Sequence, residues 1–98
     1  MILVRDVFRL KFGKARDAKM LMQESKKLMT PEMAARSRAM FDLVGPSYTL
    51  VWEMTNKSLA EWEAEMSSGM NDDAWREWYQ KFVPLIESSY REIFTLVD

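Results

Sequence analysis

Neither cysteine nor histidine occurs among the 98 residues of the chain, and that absence sets the chemistry open to it. Disulfides, thiolate nucleophiles, Ser-His-Asp triads, zinc sites of the usual ligand type and a proximal histidine for haem are excluded. Asp, Glu, Lys and Tyr remain for acid–base work, with Arg to hold an anion. Six residues have the types and spacing to act together: Arg5, Arg9, Arg38, Asp42, Thr49 and Glu53. On strand alternation all six fall on one face of a sheet. The three arginines would clamp a carboxylate or polarised oxygen there. Glu53 or Asp42, desolvated on that face, is a candidate general base. The same groups also suit interface ion pairs that do no chemistry.

Two other clusters fall away. Asn71-Asp72-Asp73 lacks the spacing and terminal glutamate of a calcium loop and fits helix capping instead. Lys14 follows Gly13 without the rest of a phosphate-loop pattern. No metal and no cofactor is expected.

The elements that must position these groups follow from periodicity. Alternating strand patterns run over residues 2–12, 36–44, 47–55 and 89–97, and helical spacing fills 14–29 and 58–82. The first helix carries its stripe on Ala18, Leu21, Met22, Ser25, Leu28 and Met29. Thr30-Pro31 stops that helix and has the makings of an N-cap and N1 pair for one further short turn. Ser58 and Glu61 form a capping box that opens the second helical region, with Glu61 reaching back to Ser58. Gly69 interrupts it, Asn71-Asp72-Asp73 restarts it and Pro84 ends it.

The order strand-helix-strand-strand-helix-strand defines an α+β, ferredoxin-like βαββαβ fold: a four-stranded antiparallel sheet with helices on one face only. The more apolar face should lie under the helices. That assigns Phe8, Leu10, Phe41, Leu43, Leu50, Trp52 and Phe94 to the covered side. Alongside the six candidate residues, the bare side then shows Val7, Lys11, Met40, Val51, Arg91 and Ile93. A bare face of that mixed kind needs a partner. Two of them stacked across a two-fold axis would enclose a barrel-like interior, so the expected partner is a second copy of the chain. Such an interior suits a small, largely apolar or aromatic ligand oriented by one or two charges. Trp62, Trp75, Trp78 and Tyr79 sit at helical spacing and read as core rather than as a ligand-stacking platform.

Composition places limits on partners. Fourteen basic and fifteen acidic residues leave a net charge of −1. The basic residues are spread along the chain, so neither a nucleic-acid footprint nor an anionic-membrane patch is expected. With 48% apolar residues the chain can build a core, and 1–98 reads as one domain. The opening residues lack the layout of a signal peptide, and no apolar run approaches a membrane span. A cytoplasmic location is the expectation.

Three stretches resemble a known family. They are Val4-Arg5-Asp6-Val7-Phe8-Arg9-Leu10-Lys11-Phe12-Gly13-Lys14, Leu43-Val44-Gly45-Pro46-Ser47-Tyr48-Thr49-Leu50-Val51 and Tyr90-Arg91-Glu92-Ile93-Phe94. All are similar to NIPSNAP-type members of the dimeric α/β-barrel superfamily. The resemblance implies a homodimer whose two sheets close a barrel around a pocket. The superfamily includes cofactor-independent monooxygenases acting on aromatic polyketides, haem-degrading enzymes, muconolactone-type isomerases and many members without an assigned function. The haem-degrading relatives use a histidine ligand, which this chain lacks.

The expected function is therefore binding of a small, largely apolar ligand in a barrel pocket. The alternative is a cofactor-independent monooxygenase or isomerase of the antibiotic-biosynthesis-monooxygenase type, with Arg38 or Arg5 on an enolate-like oxygen and Glu53 or Asp42 as base. A purely structural dimerisation module is the third reading.

Overall fold

Two strands with alternating side chains, β1 (Ile2–Leu10) and β3 (Thr49–Asn56), form the centre of a sheet ordered β2-β3-β1-β4. The edges are β2 (Ser37–Phe41) and β4 (Ile86–Thr95), and every neighbouring pair is antiparallel. The architecture comes from a computed structural model that describes residues 1–97. Helices α1 (Ala15–Leu28), α2 (Pro31–Ala35), α3 (Leu59–Met70) and α4 (Asp73–Phe82) fill the two crossovers, followed by a short 3-10 turn at Val83–Leu85. This is the ferredoxin-like βαββαβ arrangement.

The core lies where α1 and α4 meet the inner strands. Leu10 and Leu50 pack with Ala18, Leu21, Met22, Trp78, Phe82 and Leu85, flanked by Phe8, Phe41 and Trp52. The helical stripe of α1 is buried as its spacing requires, through Ala18, Leu21, Met22 and Ser25. Trp78 buries its ring and donates its indole N–H to the Leu21 carbonyl at 2.6 Å, so the polar atom carries no desolvation cost. Each later helix has a working cap. Thr30 accepts from the Met33 amide, Ser58 from Glu61, and Asp72 from Ala74 and Trp75, each contact contributing about 1 kcal/mol. Glu61 reaches back one residue beyond the expected position, its carboxylate taking the Lys57 amide at 3.0 Å.

Register fixes which side chains share a face. Arg38 stands opposite Glu53 and Glu53 opposite Arg5, while Met40, Val51 and Val7 align in the next row and Thr49 faces Arg9. All of these lie on the face away from the helices, as alternation predicts.

Three expectations are corrected. The parity of β4 is reversed: Arg91 pairs with Asp6 and Ile93 with Val4, so both lie on the helix side. Phe94, opposite Leu3, lies on the bare side with Tyr90 and Glu92. The cause is twofold. A register shift between Arg9 and Leu10 resets the pairing, and an edge strand little covered by helices does not enforce an apolar inner row. Second, β2 stops at Phe41. Leu43 is 96% exposed in the turn, and the Asp42 carboxylate accepts the Thr49 amide at 2.7 Å and ends the ladder. Third, β1 stops at Leu10, whose amide donates to the Tyr48 carbonyl. Lys11 and Phe12 are exposed beyond it, and Gly13 takes the φ of 79° that reverses the chain.

Candidate functional site

The six residues singled out by type and spacing divide into three groups. Glu53, Arg5 and Arg38 come together: the Glu53 carboxylate is nearly fully buried, 2.7 Å from the Arg38 Nε and 3.6 Å from an Arg5 nitrogen. Glu92 lies 4.0 Å from Arg5 on the same row. Arg38 and Glu53 also line a depression of about 250 Å³ with Leu3, Arg36 and Thr55. Asp42 and Thr49 are tied to each other and to the turn, since the Thr49 hydroxyl donates to the Pro46 carbonyl at 2.7 Å. Arg9 stands at the end of the bare face, opposite Thr49. Within the single chain, Arg5, Arg38 and Glu53 thus form an ion-pair cluster on the bare face.

The larger cavity is on the other side of the sheet. It holds about 520 Å³ between β1, β3 and β4 below and α3 and α4 above, a volume within the range of small-molecule sites. Trp52, Trp62, Trp75 and Trp78 contribute aromatic walls, and Met29, Met33, Met54, Met66 and Met70 line the rest. Thioether side chains without branching adapt to an irregular apolar shape. The indoles of Trp52, Trp75 and Trp78 lie within 5.7–6.4 Å of one another, so they pack as a mutually fixed group.

Local sequence explains this placement. Asp72 caps α4 and so sets Trp75 one turn into the helix, with Trp78 and Phe82 directed into the core. α3 starts at Ser58, immediately after β3, and brings Trp62, Met66, Gly69 and Met70 to the cavity. No residue of α3 is buried. Trp62, Met66 and Met70 face the cavity instead of the core.

Charge enters this wall at three points: Asp6, Arg76 and Arg91. Asp6 and Arg91, opposite each other on β1 and β4, form a pair with Nε–Oδ1 2.6 Å. The Arg91 guanidinium also lies 4.9 Å from the centroid of Trp62, within cation–π range. Arg76 pairs with Asp73 in the first turn of α4. Each cation of the cavity thus has its own carboxylate.

Sequence reasoning missed Asp6, Trp52, Trp62, Trp75 and Arg91 as a group. One signal was present: Asp6 is the single charged residue in the row Val4, Asp6, Phe8 and Leu10 that faces the helices. A charge in such a row requires a partner or a solvated space, and the structure supplies both.

A second polar cluster joins α2, the start of β2 and α3. Arg36 reaches Glu32 and Glu65, each at 2.6 Å, and the Thr55 carbonyl at 2.7 Å. The hydrogen bond from Arg36 holds the Glu32 carboxyl below its ordinary range, and the same bond holds Arg36 above its own. The contribution of Glu32 is therefore present at neutral pH and lost as pH falls through the lowered folded value. Among the described residues, no group of three or more Asp or Glu side chains could hold a metal ion, and no helix is long and apolar enough to cross a membrane.

A four-stranded antiparallel sheet with helices on one face and an aromatic cavity between the layers defines a ferredoxin-like α+β protein. Within that class the chain belongs to the NIPSNAP family, whose family model matches residues 5–98. A NIPSNAP family protein from Agrobacterium tumefaciens superposes with a TM-score of 0.88 at 19% identity, over 99% of this chain and 86% of that one. A putative antibiotic biosynthesis monooxygenase from Nitrosomonas europaea gives 0.71 at 12% identity, covering all of both chains. SnoaB, a cofactor-independent oxygenase from Streptomyces nogalater, gives 0.72 at 9% identity over 99% of this chain and 93% of that one. At these identities the solved structures establish the fold alone. No curated protein matches the chain in sequence.

Proposed function

We propose that the chain acts as a homodimer that binds a small, neutral, largely apolar ligand in the cavity between the sheet and helices α3 and α4. The observation that carries this reading is the cavity of about 520 Å³ with four tryptophans on its walls. Pairing of Arg91 with Asp6 and of Arg76 with Asp73 leaves the wall without a net charge. A charged ligand would be desolvated there against groups already compensated, whereas a neutral one gains from apolar burial. The aromatic walls favour a planar ligand.

The second copy belongs on the bare face. Arg5, Arg9 and Arg38 stand there with Glu53 and Glu92, and Met40, Tyr90 and Phe94 are exposed beside them. A face carrying both signs around exposed apolar side chains complements itself across a two-fold axis.

A second reading has one specific observation in its favour: a carboxylate and a guanidinium, Asp6 and Arg91, adjoin on a largely apolar wall. Asp6 would take a proton from a bound acidic ligand and Arg91 would hold the anion formed. That arrangement suits the cofactor-independent monooxygenase or isomerase alternative. It fails if a ligand recovered from the protein is converted at the same rate by an Asp6→Asn variant.

Native mass spectrometry of freshly purified protein tests the first reading. The expected species has the mass of two chains plus a small non-covalent adduct, released on denaturation and neutral by its fragmentation. A single-chain mass at micromolar concentration contradicts the dimer. A highly anionic adduct contradicts the neutral-ligand assignment.

A further inference from the structure

We infer that the bridge from Glu65 to Arg36 and Asn56 is a latch that sets the position of α3 and thereby controls access to the cavity. Its functional meaning rests on the ligand-binding reading above; its structural content does not.

The argument begins with what does not hold α3. A helix is ordinarily fixed by burying an apolar stripe in a core. α3 buries no residue, and Trp62, Met66, Gly69 and Met70 face a cavity. Side chains that line open space contribute little attractive contact to seating a helix. The seat must therefore come from elsewhere.

Its main polar anchor is one carboxylate. Glu65, in the middle of α3, accepts from Arg36 at 2.6 Å through one oxygen and from the Asn56 amide at 3.0 Å through the other. Both donors belong to the sheet side of the molecule. Asn56 ends β3 and is 1% exposed. Arg36 directly precedes β2; its side chain donates to the Thr55 carbonyl and its own carbonyl accepts from the Thr55 amide. Glu32 takes the Nε edge of the same guanidinium and fixes its orientation. Arg36 and Glu65 each keep only 18% of their side-chain surface exposed. Solvent and salt therefore weaken this bridge less than an open surface pair.

The second attachment of α3 is Trp62 against Arg91, and that contact is itself part of the cavity wall. A ligand stacking on Trp62 competes with it, whereas the Glu65 bridge lies outside the cavity lining and a ligand leaves it in place. The helix is bounded by Ser58 and Asn71, each at a cap and each outside the sheet ladder. α3 can therefore swing as a unit without breaking a strand pair. With Glu65 released from Arg36 and Asn56, α3 widens the cavity mouth; latched, it closes the wall over the ligand.

The test combines hydrogen exchange with dye kinetics in Glu65→Ala and in the milder Glu65→Gln, with the exposed Glu63→Ala as control. Exchange at amides 59–70 should rise about tenfold in Glu65→Ala, the loss expected for a charge-assisted hydrogen bond, with β1 amides unchanged. Association and dissociation of phenylnaphthylamine, a neutral apolar dye, should rise together while Kd stays within about twofold. Exchange in α3 no faster than in Glu63→Ala overturns the latch. So does equal acceleration in β1, which marks a general loss of stability, or faster α3 exchange with unchanged dye rates. If the wild-type protein binds no dye, the ligand-binding reading fails alone, and the exchange comparison still decides whether α3 is latched. Should Glu65→Ala not fold, Glu65→Gln carries the same comparison.

Discussion

Replacing Phe82 by Ala is expected to lower the free energy of unfolding by about 3–5 kcal/mol. The ring is 2% exposed. It stacks on Trp78 at 4.8 Å and meets Phe8 edge to face at 5.0 Å, so it joins α4 to the central strand. Truncation removes apolar burial and leaves a space that fixed neighbours cannot fill. A chain of this size has a total stability on the order of 5–15 kcal/mol, so the variant should be close to unfolding. Denaturant titration measures the loss. Phe12→Ala, at a ring that is 85% exposed, should change little by comparison. A loss below about 1 kcal/mol for Phe82→Ala would mean that α4 is not seated on β1 as described.

The second large effect concerns association. Met40 and Tyr90 are 38% and 60% exposed in the single chain, both on the bare face. Changing both to Asp should cost the isolated chain little, because exposed substitutions usually stay within about 0.5 kcal/mol. In a dimer closed across that face the new carboxylates would be desolvated beside their two-fold mates. Unpaired buried charge of that kind costs several kcal/mol. Light scattering after size exclusion should show a folded monomer for the double variant and a dimer for the wild-type protein. A dimeric double variant would place the contact elsewhere.

Legibility in the sequence followed the strength of the local constraint. The inner strands were readable because burial on one side enforces alternation. Phe8, Leu10, Leu50 and Trp52 fall on the helix side, and Arg5, Arg38 and Glu53 fall opposite. Caps were readable because Thr30, Ser58 and Asp72 act within four residues of themselves. β4 was not. Its parity is decided by pairing with β1, Asp6 against Arg91 and Arg5 against Glu92, and by the register shift at Arg9, and β1 and β4 lie at opposite ends of the chain. Arg91, Ile93 and Phe94 all lie on the face opposite to the one expected.

The candidate site divides similarly. The ion-pair cluster of Arg5, Arg38 and Glu53 follows from period two along the strands. The cavity does not follow from any local pattern. Trp62 and Trp75 have the helical spacing of core residues, and nothing in that spacing says that α3 stands away from the sheet. Only Asp6, a charge in an otherwise apolar row, marked the place.

Gly69 offers the most direct test that the cavity is a binding site. It lines the cavity from α3, and a Cβ there would meet no atom within 4 Å. The backbone at Gly69 thus accepts a side chain, the ring of Gly69→Phe is expected to enter the cavity, and the change removes a residue that weakens a helix by roughly 0.5–1 kcal/mol. The variant should keep or gain stability while losing the pocket. Titration with phenylnaphthylamine should show saturable binding to the wild-type protein and at least about tenfold weaker binding to Gly69→Phe, the loss that forfeited apolar burial of a ring predicts. Equal affinity in the two proteins, with the variant folded, would contradict the assignment of ligand binding to this cavity.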